Sequence, residues 1–121
     1  LIAHIFLSQL KAIFDNCIDE LEPIHFLFSR NPETDFTRKR KLTFKEYIQF
    51  MLLMQGKAVS NEILDFFNHS LSAPSKSAFT QQRYKLLPEG WDFLFHSFVT
   101  QCRVLSDNLY CGYRLLACDG S

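Results

Sequence analysis

The strongest constraint in this chain is the spacing of its apolar residues. Along residues 2–21 they fall at Ile2, Ile5, Phe6, Leu10, Ile13, Phe14, Cys17, Ile18 and Leu21. Steps of three and four put them on one face of an α-helix. A second stripe, Trp91, Leu94, Phe95, Phe98, Val99, Cys102 and Leu105, repeats the pattern near the other end. Two amphipathic helices of this length must cover their apolar faces, which calls for a bundle. Only four Gly and four Pro occur in 121 residues, which disfavours a turn-rich all-β fold. With 47% hydrophobic residues and thirteen Phe, the chain has enough apolar surface for a core and is not of the disordered class.

Punctuation between the stripes defines further elements. Pro23 ends or bends the first helix, and residues 24–29 form a short helical turn. Arg30–Lys41, with Asn31-Pro32, reads as a loop or arm. Thr43 and Glu46 have the spacing of a capping box, with Leu42 and Tyr47 as a hydrophobic staple, and Gly56 stops the helix they start. Ser60 is the expected cap of a helix over Asn61–Asn68, and Ser75 of one over Lys76–Leu87. Pro88 suits the first position of the last helix, and Asp107-Asn108 breaks it. Tyr110–Cys118 is the one strongly strand-like segment. The expected fold is mainly α: a helical domain over 1–108, then one C-terminal β-strand over 109–121. Leu1 is not Met and the chain stops within an apolar run, so both ends are expected to be cut from a longer protein. The run Leu1–Leu7 is too short to span a membrane and reads as the first turns of a buried helix.

Charge is sorted rather than abundant. The formal net charge is zero, which removes any global electrostatic argument for nucleic acid. Asp15–Glu22 holds four acids and no base, Arg30–Lys45 six bases and two acids, and Lys76–Lys85 three bases and no acid. Cys17, Cys102, Cys111 and Cys118 match no zinc spacing and are expected to be free thiols of a cytoplasmic protein. His4, His25, His69 and His96 are scattered and read as partnered core or boundary residues; Trp91 and the Phe stripe read as core.

Three short helices at 44–55, 60–68 and 76–87 suit a helix-turn-helix unit, whose later helix enters the major groove of DNA. The last of them carries Lys76, Ser77, Thr80, Gln81, Arg83 and Lys85 on its polar side, while Ala78, Phe79, Gln82, Tyr84, Leu86 and Leu87 include its core contacts. Gln reads adenine, Arg reads guanine, Ser and Thr meet bases or phosphates, and no carboxylate opposes the phosphates. The bland reading is a solvated face of an ordinary helix. Arg38-Lys39-Arg40-Lys41 is either a phosphate-gripping arm or a solvated basic loop. Four bases ahead of a helix N-terminus oppose its dipole, which makes a phosphate partner more attractive. Asp119 closes the strand-like segment, where a rigid carboxylate can serve a divalent metal; Asp119-Gly120-Ser121 is equally an ordinary turn.

Taken in order, four segments resemble the N-terminal region of bacterial insertion-sequence transposases of the DDE type. They are Asp35–Phe44, Asn61–Phe67, Ser77–Arg83 and Gly112–Ser121. The resemblance implies a helical domain that binds double-stranded transposon-end DNA, ahead of a ribonuclease-H-like catalytic domain of which only the first strand falls within 109–121. It also implies that Asp119 is the first catalytic acid and a ligand of Mg2+ or Mn2+ in the complete enzyme. Cys118 departs from the small apolar residue, such as Val, expected before that acid. Without the remaining acids the piece is expected to be inactive, where the complete enzyme would cut and join DNA. The expected setting is the bacterial cytoplasm, at the nucleoid, with a homodimer left open. The rival reading is a helical protein–protein interaction or dimerisation module that uses Phe-rich faces.

Overall fold

The computed structural model describes residues 2–38, 40–105, 111–113, 117 and 120. Five α-helices account for most of them: α1 (Ile2–Leu21), α2 (Phe44–Leu53), α3 (Val59–Phe66), α4 (Lys76–Arg83) and α5 (Pro88–Leu105). A 3-10 turn, Glu22–Phe28, follows α1, with Pro23 in its first turn, where a missing N–H leaves no bond unmade. The described residues form no sheet; Ser29 and Leu86 make an isolated antiparallel bridge. The domain boundary expected at 108 lies outside the described residues, as do positions 110, 114–116 and 118 of the strand expected over Tyr110–Cys118. Within that segment Cys111 and Gly112 form a turn, with φ +50 and +82, in place of the expected extended backbone.

Antiparallel α1 and α5 form the long pair. Asn16 Nδ2 donates to Gln101 Oε1 at 3.1 Å, and Ser97 Oγ to Glu20 Oε2 at 3.2 Å. Phe14 meets Phe98 edge-on at 6.1 Å between them. That register leaves the start of α1 running past the end of α5. Ile5, Phe6 and Leu7 are 54%, 45% and 64% exposed, so the expected burial of these first turns is not observed. Only the second half of α1, through Cys17, Ile18 and Leu21, enters the core.

Tyr47, Ile48 and Phe50 of α2 lie at the centre of the other half. Phe50 takes Phe79 of α4 edge-on at 4.7 Å and Phe66 of α3 at 5.3 Å. The two fully buried rings, Phe50 and Phe79, contribute about 1.5–3 kcal/mol each by burial. The capping box of α2 is present: Glu46 N donates to Thr43 Oγ1 (3.2 Å) and Thr43 N to Glu46 Oε2 (2.9 Å).

Four helix boundaries differ from expectation: α2 ends at Leu53 instead of Gln55, α3 both starts earlier and ends earlier, at Phe66 instead of Asn68, and α4 is shortened. α3 starts at Val59, with Ala58 rather than Ser60 as its cap residue. The Ala58 carbonyl accepts from Asn61 N and Glu62 N, and the buried Glu62 carboxylate reaches back to the turn before the helix. α4 ends at Arg83 instead of Leu87, because the next residues find partners far away in the chain. Arg30 N donates to the Lys85 carbonyl (2.8 Å), and Leu87 N to that of Phe28 (2.7 Å). Gly90 makes this junction possible: a Cβ there would stand 2.8 Å from Leu86 Cδ1 and 3.1 Å from Phe28 Cβ.

Candidate nucleic-acid interface

The junction that shortens α4 also builds the site. Arg30 is tied to the end of α4 twice, through its N–H and through Nε, which donates to the Tyr84 carbonyl at 3.0 Å. The arm that follows therefore starts beside α4, although 54 residues separate Arg30 from Tyr84. The turn over 31–35 is closed by Asp35, a buried acid whose Oδ2 accepts from Asn31 N at 2.8 Å. Phe36 then takes φ +59, a left-handed conformation that costs a bulky residue about 1–3 kcal/mol. Its ring is held between Phe44 (5.1 Å), Tyr47 (5.9 Å) and His25 (5.7 Å). Lys85 Nζ lies 5.9 Å over that ring, so the last cation of the α4 segment leans towards the arm.

A groove of about 610 Å³ runs between the arm and α4. Arg40 and Lys41 stand on one side, Gln81 and Gln82 on the other, with Lys85. Leu42, Ala73, Pro74, Ser75 and Ala78 complete the lining, and no acid contributes to it. Arg38 lines an adjoining cleft of about 260 Å³, together with Arg40, Lys85 and one acid, Glu22. Arg38, Arg40, Lys41, Lys76, Arg83 and Lys85 have no acidic partner within 4 Å among the described residues. Elsewhere Lys45 is paired with Asp19 (3.0 Å) and Lys57 with Asp65 (2.8 Å), while Lys11, Arg30 and Arg103 likewise have no acidic partner within 4 Å among the described residues. Each partner lifts its lysine above the ordinary range, first through the hydrogen bond it accepts.

The sequence-nominated residues thus divide. Arg40, Lys41, Gln81 and Lys85 share the groove, with Arg38 next to it. Lys76, Ser77, Thr80 and Arg83 are exposed on α4 without lining it. The Thr80 hydroxyl donates to the Lys76 carbonyl at 2.9 Å, which leaves its lone pairs but not its proton for a ligand. Lys39 and Asp119 lie outside the described residues. Among the described residues no three His, Cys, Asp or Glu side chains converge, so these residues alone assemble no Mg2+ or Mn2+ site.

Gln82 and Tyr84, both expected among the core contacts of the α4 segment, differ in outcome: Gln82 is buried and Tyr84 is not. Tyr84 is 65% exposed. Gln82 is 6% exposed, and its Oε1 has no hydrogen-bond partner among the described residues. An unpaired buried acceptor costs about 1–3 kcal/mol, and nothing local in the sequence announces it. Phe95 and His96, expected in or beside the core, are exposed, with His96 Nε2 3.2 Å from Asp92 Oδ1. Cys17, Cys102 and Cys111 are free thiols.

No protein-family model, curated protein or solved structure matches this chain. Among the described residues no helix is long and apolar enough to cross a membrane.

Proposed function

We propose that this chain binds duplex DNA through α4 and the Arg38–Lys41 arm, with α3 and α4 as a helix-turn-helix unit and α4 as its recognition helix. The observation that carries the reading is the placing of three unpaired cations, Arg40, Lys41 and Lys85, along one acid-free groove, in a protein of zero net charge. Unpaired arginines and lysines lined up with amide and hydroxyl groups are the chemistry that phosphates and base edges select. In line with the resemblance, the chain is proposed as the helical N-terminal part of an insertion-sequence transposase, with transposon-end DNA as its target.

The six unpaired cations of the arm and the α4 segment set the scale of the test. If each meets one phosphate, log K falls against log salt with a slope of about −5, or roughly a thousandfold between 50 and 200 mM. The double variant Arg40→Gln/Lys85→Gln should make that slope shallower by about two. Fluorescence anisotropy with a labelled duplex reads both quantities. No binding at 50 mM salt, or a slope that the double variant leaves unchanged, refutes the reading. The transposase assignment has its own test in a protein carrying the rest of the catalytic domain: Asp119→Ala should abolish DNA cleavage and spare binding.

A second reading, a dimerisation module, is favoured by the exposed Ile5, Phe6 and Leu7 on α1. Sedimentation that shows tight self-association, together with absent DNA binding, decides for it.

A further inference from the structure

We infer that the groove between the arm and α4 seats one sugar–phosphate strand of the bound duplex, with α4 in the major groove on one side of that strand and the arm in the adjoining minor groove on the other. The inference rests on the DNA-binding reading and specifies its geometry.

The two walls differ in kind. One is a helix whose exposed face carries Ser77, Thr80 and Gln81. The other belongs to residues 37, 38 and 40–43, none of which is helical. The major groove of B-DNA, about 12 Å wide, admits a helix, whereas the minor groove, about 6 Å wide, does not. A non-helical segment with long arginine side chains fits the narrower one, where an A·T-rich stretch concentrates negative potential. The ridge that separates a major from a minor groove is a single sugar–phosphate strand. Something must therefore lie between the two walls if both are engaged at once.

The groove has the chemistry for that occupant. Arg40, Lys41 and Lys85 supply cations for phosphate oxygens. Leu42, Ala73 and Ala78 add an apolar lining suited to the C–H faces of deoxyribose. No carboxylate lines it to repel the strand. The arm is also placed rather than free, because Arg30 fastens its start to α4 and the Phe36 cluster anchors its middle. A clamp of this shape fixes the distance between the two contacts, so both grooves of one duplex are read in a set register.

The test uses an A·T-rich duplex with two competitors: netropsin, which fills the minor groove, and methyl green, which occupies the major groove. Each should weaken binding of the unmodified chain at least tenfold. The double variant Arg38→Gln/Arg40→Gln, altered only at exposed positions, should bind more weakly, keep its response to methyl green and lose its response to netropsin. If netropsin leaves the unmodified chain's salt-dependent binding unchanged, the clamp geometry is overturned and the DNA-binding reading stands. If the double variant stays as sensitive to netropsin as the unmodified chain, the arm is not the minor-groove element and the inference fails. Absence of any salt-dependent duplex binding removes both.

Discussion

Glu62 offers the sharpest structural prediction, because one buried oxygen holds a whole turn. Glu62 is 6% exposed, and its Oε1 accepts from Gln55 N at 2.7 Å and from Lys57 N at 2.9 Å. Those two N–H groups flank Gly56, whose φ of +84 turns the chain between α2 and α3. Hydrogen bonds to a charged acceptor contribute about 1.5–3 kcal/mol each, and the lower end applies here because Gln55 and Lys57 are exposed and water can replace the carboxylate. Glu62→Ala should therefore cost about 3 kcal/mol, a large part of the 5–15 kcal/mol typical of a whole domain. At about 4 °C per kcal/mol for a chain of this size, Tm should fall by about 12 °C. Both bonds reach the same oxygen, so an amide oxygen can accept both. Glu62→Gln should lose only about 1 kcal/mol, the charge assistance alone. Thermal melts followed by circular dichroism, with urea unfolding as a check, measure the two variants. A loss under 1 kcal/mol for Glu62→Ala, or equal damage from both, would refute the clamp.

Two further outcomes follow from the same structure. Burial pushes the Tyr47 hydroxyl up to about 12. The folded state thus holds that proton more tightly than the unfolded state does, so the contribution is complete below pH 10 and disappears as pH rises from 10 through 12. The change amounts to roughly 2–3 kcal/mol. Tyr47→Phe should flatten the fall in urea midpoint between pH 9.5 and 11.5, and equal slopes in the two proteins would contradict the assignment. Gln82→Met keeps the length of the side chain and removes its unpaired acceptor. It should leave stability unchanged or raise it by about 1 kcal/mol in urea titrations; a loss beyond 1 kcal/mol would mean that the acceptor has a partner.

The elements themselves were legible from the residues because their causes are local. Steps of three and four lay out α1 and α5, and Pro88 opens α5. Thr43 with Glu46, and Ser75 alone, cap α2 and α4 by hydrogen bonds that span three residues. Ser60 failed as a cap because Glu62 reaches backwards out of its own helix to the Gln55 and Lys57 amides, a bond no capping pattern encodes. Leu86 and Leu87 left α4 for the same kind of reason, drawn off by Ser29 and Phe28.

What the chain determines alone is which segments are helical, where most of them are capped, and which side chains are cationic. What only tertiary packing decides is which of those cations meet. Arg40 and Lys85 stand 45 positions apart in the sequence and share one groove, because Arg30 fastens the arm to α4 and Gly90 lets α5 close against Phe28 and Leu86. Periodicity and caps act within a turn or two of helix. A groove between distant segments depends on contacts whose sequence separation no local pattern records.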